Sequence, residues 1–369
     1  MLPYTGDYTE HIDPEKPSLT FYSFTPRPLM RGDMYQMDDE LAALLTEAHR
    51  NIGFLEGLVT YAPNKEAFAE LMLLKECTYS HMIDYDDPDF KEVLTIRGTG
   101  KGDITPITNL EMAYKAAKSM EVAAPDLSRI CGIALNEDPE NNSIDVRDYQ
   151  TFWLGAKTNL KGYNPTAPDA VLPALADISA YLYNDHNTDP LIKAALVHYQ
   201  FEMIHPFERY NGIVGRIIVP MVLRDTIGEA MPLICLSEYL YHNKNEYFDL
   251  LRTTQYSGGY IRWIKFFVCA VGEAAKQSAK LLAQYENDIL WAEQRIKENT
   301  LSSKSIWSVY NYLKRYPVSS ISRATEQTRF SFNSISKAMQ SLKATGIVQE
   351  TAEVRNRIWV HKKLIENLW

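Results

Sequence analysis

A histidine followed by proline and a short polar loop, in the middle of the chain, is the segment best suited to chemistry. Because Pro206 disfavours helical geometry in the residue before it, we expect His205 to end an apolar helix at the rim of a cleft. Asn211 and Gly212 tolerate positive φ and open a second apolar segment, where unpaired N–H groups would favour a phosphate. Arg216, about one turn further on, could fork onto a second phosphate, while His205 has the pKa range of a general base. The spacing therefore predicts nucleotide chemistry on a hydroxyl group.

These residues resemble the motif of Fic-domain proteins, written His-x-Phe-x-(Asp/Glu)-Gly-Asn-Gly-Arg-x-x-Arg. The positions in register are His205, Phe207, Asn211, Gly212 and Arg216. The resemblance implies the usual activity of that family, transfer of AMP from ATP to a Ser, Thr or Tyr hydroxyl of a protein, with the chain itself among the candidate targets. It also implies that His205 takes the proton from that hydroxyl. Asn211 and the Gly212 backbone would hold the phosphates, and Arg216 would take the γ-phosphate.

Three motif positions depart from the family pattern. Arg209 stands where the family has an acidic magnesium ligand, Tyr210 replaces a glycine, and Ile213 replaces the first arginine. An arginine cannot bind a hard cation, although its charge could neutralise phosphate directly, and Glu208 is one position away as a substitute ligand. We therefore expect ATP as the cofactor and keep two alternatives for Mg²⁺: Glu208 binds it after a shift of the loop, or Arg209 replaces it.

A second pattern near the N-terminus resembles the inhibitory motif that precedes many Fic domains, (Ser/Thr)-x-x-x-Glu-(Gly/Asn). Ser80 and Asp84 occupy the matching positions, with Tyr85 after them, so the acid is kept but is shorter by one methylene. The resemblance implies that Asp84 pairs with Arg216 and blocks the γ-phosphate of ATP. The alternative is that Asp84 belongs to a solvated acidic helix end.

Two aromatic segments supply the remaining candidate contacts. Residues 143–154 alternate in polarity and are rich in β-branched and aromatic side chains, which predicts a short β-hairpin. The hairpin resembles the Fic flap, which aligns the target as an added strand, and its candidate residues are Thr151, Phe152 and Trp153. Residues 233–251 resemble the segment that closes over the adenine, although most of their aromatic side chains would also suit the core; the candidates are Tyr239, Tyr241 and Asn243.

Apolar helical patterns must position these residues. Leucine and isoleucine recur at three and four in residues 38–58, and a second helix is predicted over 65–83. Asp189 caps the helix that leads into the motif. Residues 217–223 are apolar on all sides, which predicts a helix at the centre of a bundle. Residues 1–35 carry five prolines and little periodicity, and predict an extended arm or an irregular lead-in.

The composition is that of an ordinary globular protein, with 46% hydrophobic and 23% charged residues, so a sizeable core is expected. The four cysteines lack paired ligand spacing and are too few for a disulfide framework, and no apolar run of about 18 residues occurs. We therefore expect a cytoplasmic protein without a membrane partner. His198 and Glu202, four apart, predict a helix-surface pair rather than half of a metal site.

The charge changes sign near the C-terminus. The net charge is −9 overall, but residues 304–369 hold eleven Lys and Arg against four Glu. Three helical patterns and a two-stranded ribbon in this part predict a winged helix-turn-helix domain. Its candidate DNA contacts are Ser334 and Lys337 on the third helix and Arg355 and Arg357 in the wing. Winged helices also bind proteins or form dimers, so DNA, a partner protein and a homodimer are all kept as alternatives.

The sequence thus predicts a mostly α fold, a Fic helical bundle with a small β-hairpin flap plus a C-terminal winged helix-turn-helix domain. We place the N-terminal arm and helical Fic-associated region at 1–110, the Fic core at 111–285, a connecting helix at 286–303 and the winged helix at 304–369. The leading functional prediction is an adenylyltransferase regulated by its N-terminal helix. The alternatives are a catalytically weak, nucleotide-binding regulator that acts on DNA or a partner, and transfer of another group such as UMP or phosphocholine.

Overall fold

The computed structural model describes residues 5–12, 21–31, 34–85, 87–136, 143–151, 164–298, 303–351 and 357–368. Helices dominate it, as predicted. Two strands and seven helices lead up to the histidine motif: β1 (Gly6–His11), β2 (Phe21–Pro26), α1 (Asp39–Tyr61), α2 (Lys65–Tyr85), α3 (Phe90–Thr99), α4 (Thr105–Ala117), α5 (Ala124–Leu135), α6 (Pro168–Asn184) and α7 (Pro190–Ile204). No helix in these ranges, or in those described below, is long and apolar enough to cross a bilayer.

The second half of the bundle follows the motif. Its elements are α8 (Asn211–Ile227), a 3-10 helix (Gly228–Leu233), α9 (Leu236–His242), α10 (Lys244–Ser257) and the long helix α11 (Tyr260–Glu298). The helices α7 and α8 lie at the centre, because both are apolar on nearly every side and are buried along most of their length. Trp263 of α11 donates its ring N–H to the carbonyl of Ala195 in α7, 2.8 Å away. The prediction of a central helix over 217–223 is confirmed.

The N-terminal residues are more regular than expected. Strands β1 and β2 pair antiparallel, from Gly6 opposite Pro26 to His11 opposite Phe21. The ribbon has a core to cover, since Phe24 is buried, and the Phe24 N–H donates to the carbonyl of Asn164 at 3.1 Å. The described part of residues 1–35 is thus largely extended, as one alternative predicted, but its strands pair as a ribbon, which an irregular lead-in does not describe.

The predicted flap hairpin is not formed in the part of it that the structure describes. Residues 143–151 contain no strand. The segment is held instead by the buried side chain of Arg147, which donates to the carbonyls of Tyr149 and His205 rather than leaving the backbone to pair with a strand. Of the three flap candidates, Thr151 is partly buried at the end of this segment, while Phe152 and Trp153 lie outside the described residues.

Helix α11 runs for 39 residues without a break, although the sequence analysis placed a boundary at residues 285 and 286. Its first half packs in the main core through residues such as Trp263 and Phe267, and its last turns pack in a second core through Ala292 and Ile296. The apolar stripe continues through the expected boundary, so one helix serves both cores.

The C-terminal unit surrounds the second core. Its elements are α12 (Lys304–Arg315), β3 (Val318–Ser320), α13 (Ile321–Thr328), α14 (Phe332–Ala344), β4 (Val348–Glu350), β5 (Ile358–His361) and α15 (Lys362–Leu368). The sheet has the order β3-β5-β4, with both pairs antiparallel. The three helices and the ribbon β4–β5 are those that the winged-helix prediction contains. Strand β3 was not anticipated, because three residues give too short a pattern to recognise.

This C-terminal unit packs directly on α2 and α3. Gly98 of α3 approaches the backbone of Val318 so closely that a Cβ at position 98 would lie 1.9 Å from the Val318 carbonyl oxygen. Near the start of α2, Arg315 pairs with Glu70 at 3.2 Å, and the ammonium of Lys314 lies 3.2 Å from the side-chain oxygen of Asn64. The C-terminal unit therefore contacts the helix that carries the Ser80 and Asp84 pattern.

Replacing Gly98 with Ala should lower the free energy of unfolding by roughly 1–3 kcal/mol, the usual cost of overpacking, because the new methyl collides with backbone that cannot rotate away. Gly57→Ala in α1 is the matched control, since no atom lies within 4 Å of its added Cβ and alanine favours a helix. Denaturant unfolding of both variants checks this. Equal stability of Gly98→Ala and the parent would contradict the close packing.

Candidate functional site

His205 lies immediately after α7, as predicted. It caps that helix with φ 52, in the left-handed region, and its N–H donates to the carbonyl of Phe201 at 2.9 Å. The imidazole is partly buried, and it has a hydrogen bond to the backbone of Glu202. Burial first, and the nearby Arg147 charge second, lower the pKa of His205 to about 4. The ring is therefore neutral at pH 7, which is the form that a general base requires.

Arg147 is a site residue that the sequence analysis did not identify. Its Nε donates to the carbonyl of His205 at 2.8 Å, and its Nη2 donates to the carbonyls of Ile204, at 3.1 Å, and of Thr166. A buried guanidinium that satisfies the last carbonyls of α7 fixes the direction in which His205 leaves the helix. A lone arginine inside the apolar alternation of residues 143–148 was the available signal, and it was interpreted as the polar face of a hairpin.

The loop between α7 and α8 is shaped by Asn211. The side-chain oxygen of Asn211 accepts from the N–H of Phe207, and its NH₂ group donates to the carbonyl of Phe207, both at 2.8 Å. With these two hydrogen bonds the buried Asn211 braces the loop. Its contact with a phosphate stays a prediction. Tyr210 adopts φ 65, the conformation that a glycine would take without strain, and its ring packs against Tyr85 with centroids 5.6 Å apart.

The start of α8 is occupied by a carboxylate from α2. A Cβ placed on Gly212 would lie 3.2 and 3.3 Å from the two carboxylate oxygens of Asp84, so this acid sits where the unpaired N–H groups of the helix favour an anion. Asp84 Oδ2 lies 2.6 Å from Nη2 of Arg216. The position expected for a phosphate therefore holds the side chain of an inhibitory-motif residue, and the solvated helix-end alternative for Asp84 does not describe this contact.

Arg216 is buried and tied to α2 at two residues. Its Nε donates to the hydroxyl of Ser80 and its Nη2 to the carbonyl of Ser80, both at 2.8 Å. Burial, the largest single influence, lowers the pKa of Arg216, but the combined effects of Asp84, Tyr247 and Glu202 hold that pKa above its ordinary value. Its Nη1 is buried, lies 3.0 Å from the Cβ position of Gly212, and has no hydrogen-bond partner among the residues described.

His198 and Glu202 are buried beneath Arg216, so the expectation of a helix-surface pair was wrong. His198 Nδ1 donates to the carbonyl of Gly215, which leaves Nε2 to accept from the Tyr247 hydroxyl, both at 2.9 Å. Burial lowers the pKa of His198 to about 4 and raises the pKa of Glu202 to about 8. α7 is apolar on every side, so the helix has no solvent face at these positions.

The two charged residues of the loop lie at its solvent-exposed surface. Glu208 and Arg209 are both exposed, and the Tyr149 hydroxyl has a hydrogen bond to Glu208. No group of three His, Cys, Asp or Glu that could hold a metal ion occurs in the described ranges.

Comparison with known proteins agrees with this geometry. Residues 129–223 match the Fic/DOC family. This stretch is a Fic domain. A crystal structure of a Fic family protein from Desulfovibrio desulfuricans has the same fold, with a TM-score of 0.57 at 14% identity, and the alignment covers 90% of this chain and 98% of that one. A Fic domain containing signaling protein from Bacteroides thetaiotaomicron has a TM-score of 0.50 at 16% identity and covers 65% of this chain and 97% of that one.

The relatives found by sequence match shorter stretches of this chain. Protein adenylyltransferase fic-1 of Caenorhabditis briggsae is 38% identical over 64 residues, which is 16% of this chain and 12% of that protein. A probable protein adenylyltransferase of Aquifex aeolicus, aq_aa38, is 28% identical over 131 residues, 32% of this chain and 38% of that protein. The chain thus spans a small part of fic-1 and just over a third of aq_aa38.

The adenine candidates of the Fic domain lie on α9 and at its end. Tyr239 and Asn243 line a cavity of about 280 Å³ together with residues of α2 and α11. Tyr241 is not part of this cavity and packs against Tyr79, with ring centroids 5.5 Å apart. The cavity contains no residue of the motif loop, so the structure does not join these aromatics to the Gly212 end of the site, and their role stays a prediction.

The candidate DNA contacts in the C-terminal unit carry less unpaired positive charge than the sequence predicted. Lys337 is exposed on α14, but Arg357 pairs with Glu350 at 3.1 Å. Ser334 is partly buried, and its hydroxyl lies 3.0 Å from that of Ser331, the cap residue of α14. Arg355 lies outside the described residues. DNA binding by this unit stays a prediction.

Replacing Arg147 with Met should raise the pKa of His205 by roughly one unit from about 4, because a neighbouring positive charge is removed while burial of the ring persists. NMR titration of the histidine ring signals measures this. Arg129→Met, at an exposed position on α5, is the matched control and should leave the His205 titration unchanged. An unaltered pKa in Arg147→Met would show that the guanidinium does not act on the imidazole.

Proposed function

We propose that this protein transfers AMP from ATP to a Ser, Thr or Tyr hydroxyl of a protein, and that α2 inhibits the transfer in the state described above. The observation that carries the proposal is a neutral histidine at the end of α7, separated by one short loop from a helix start that already holds a carboxylate. The adenylyltransferase names of the partial relatives support the same class of reaction.

The proposed reaction uses the side chains in the following way. His205 takes the proton of the target hydroxyl through its neutral ring, and the hydroxyl oxygen attacks the α-phosphorus of ATP. The bond from that phosphorus to the bridging oxygen breaks, and pyrophosphate leaves. The N–H groups at Gly212 and the guanidinium of Arg216 bind the phosphates, with Nη1 of Arg216 as an available donor. Asn211 keeps the loop in the shape that this requires.

Replacing His205 with Ala should reduce the transfer of α-labelled phosphate from ATP to protein by on the order of 10² to 10⁴, the usual cost of losing a general base. The measurement is labelling of cell lysate and of the protein itself. His186→Ala, at an exposed histidine, is the control and should label as the parent does. Full labelling by His205→Ala would overturn the assignment of the base.

Replacing Asp84 with Ala should increase ATP affinity by about tenfold or more, which corresponds to about 1.4 kcal/mol, because the carboxylate no longer occupies Arg216 and the start of α8. Calorimetry with ATP measures the affinity, and labelling should rise in parallel. Asp225→Ala removes an exposed acid from α8 and is the matched control. Unchanged affinity in Asp84→Ala would mean that the contact does not inhibit.

In this proposal the cofactor is ATP. The positive charge of Arg209 neutralises the phosphates in place of a Mg²⁺ ion. Because an arginine cannot bind a hard cation but can neutralise phosphate, binding of ATP should persist in EDTA and weaken roughly tenfold in Arg209→Ala. Arg129→Ala serves as the control. If chelation removes binding while Arg209→Ala does little, Glu208 serves the metal and the role of Arg209 is wrong.

A nucleotide-binding regulator without turnover is the second candidate, and the exposed Arg209 at the metal-ligand position favours it. The winged-helix unit would then act on DNA or a partner protein. The labelling experiment separates the two: ATP binding without labelled product in Asp84→Ala, where the block is removed, supports the regulator. Product that carries UMP or phosphocholine instead of AMP would identify another transferred group.

A further inference from the structure

A cavity of about 470 Å³ lies between α2 and α8, next to Arg216 and apart from the motif loop. On α2 it is lined by Ala69, Leu73 and Glu76, and the same helical spacing continues to Ser80 and Asp84. The cavity and the position where Asp84 meets Arg216 therefore lie along one contact surface between α2 and α8, the α2–α8 seam. On the α8 side the cavity continues from Arg216 along the lining residues Val219, Pro220 and Arg224.

The walls of the cavity are mainly apolar, and most of its polar groups already have partners. Glu76 accepts from the hydroxyl of Tyr114 at 2.8 Å and from the N–H of Ser237 at 2.8 Å. Arg224 donates to the carbonyl of Met120 at 2.7 Å and to a carboxylate, and Glu70 pairs with the C-terminal unit. An apolar body can thus enter without breaking a hydrogen bond, and the volume is in the usual range for small-molecule sites, about 300–1,000 Å³.

Two positive charges at the edge of the cavity select the polar end of the ligand. Lys115 and Lys118, three apart on and just after α4, both line the cavity and are exposed. Neither has an ion-pair partner in the part of the chain that the structure describes. Of the acids that line the cavity, Glu66 is the one exposed at this edge, while Glu76 is buried. Two cations against one acid favour a ligand that carries one negative charge at its outer end.

We propose that this cavity binds a medium-chain monocarboxylic acid, with the hydrocarbon chain between α2 and α8 and the carboxylate on Lys115 and Lys118. The bound acid contacts both helices, so it stabilises the seam in the state where Asp84 pairs with Arg216. This regulatory consequence rests on the proposed function, in which that pair excludes ATP. Because coupling between two ligands is reciprocal, the acid lowers ATP affinity and ATP lowers the affinity for the acid by the same factor.

Calorimetry of the full chain with octanoate, in the absence of nucleotide, tests the site. Saturable binding of one octanoate is expected, with hexanoate roughly fifteenfold weaker, since each buried methylene contributes about fourfold. Octylammonium, with the same chain and the opposite charge, should bind at least roughly fivefold more weakly. Absence of saturable binding overturns the site, and equal affinity for octanoate and octylammonium overturns the choice of an acid.

Variants locate the binding. Ala69→Phe fills the cavity and should abolish octanoate binding while the melting temperature stays at or above that of the parent; Leu73→Trp is the second filling variant if the first does not fold. The double variant Lys115→Ala/Lys118→Ala should weaken binding roughly fivefold. Lys280→Ala, an exposed lysine on α11, is its control. Undiminished binding in a folded filling variant contradicts the proposed location.

Competition with ATP tests the regulatory part. Saturating octanoate should weaken ATP binding to the parent, and this antagonism should disappear in Asp84→Ala while octanoate still binds. Antagonism that persists in Asp84→Ala overturns the coupling through the seam. If octanoate binds and ATP binds neither protein, the cavity site stands, the regulatory part is overturned, and it is the proposed function that has failed.

Discussion

The buried guanidinium of Arg216 is the constraint on which the rest of this structure depends. A buried charge without a partner costs several kcal/mol, so the centre of the bundle is stable only when another element brings it an anion and hydrogen-bond acceptors. In the described state α2 supplies both, through Asp84 and Ser80. A nucleotide phosphate would satisfy the same guanidinium, so in the proposed function α2 and ATP compete for one cation.

The second constraint is the path of the backbone between α7 and α8. Arg147 holds the carbonyl of His205, and Asn211 holds both backbone groups of Phe207. With these contacts, the loop keeps its shape although Tyr210 adopts a left-handed conformation that costs a non-glycine residue roughly 1 kcal/mol. Packing of Tyr210 on Tyr85, the residue after Asp84, links this loop to α2 as well. One departure from the family motif, Tyr210, thus lies at the contact between the loop and α2.

Much of this arrangement could be predicted from the sequence, because it depends on strong local signals. Pro206 after His205 marks the end of α7, and the apolar run 217–223 marks a central helix. Arg147 could not be predicted in its role, because its partners are backbone carbonyls from residues far along the chain. The pairing of β1 with β2 was missed for a related reason. The prolines of this segment interrupt any strand pattern in the sequence, and the ribbon is stabilised by tertiary contacts of Phe24.

The C-terminal unit contacts the opposite end of α2, where Arg315 pairs with Glu70. Helix α2 is thus held by Arg216 near its last turn and by the C-terminal unit near its start. The central claim, that Asp84 occupies the place of the γ-phosphate, is tested most directly by comparing the affinities of the unmodified protein for ADP and ATP. We predict that ADP, which lacks that phosphate, binds about tenfold or more tightly than ATP. Equal affinities, or tighter binding of ATP, would contradict the account.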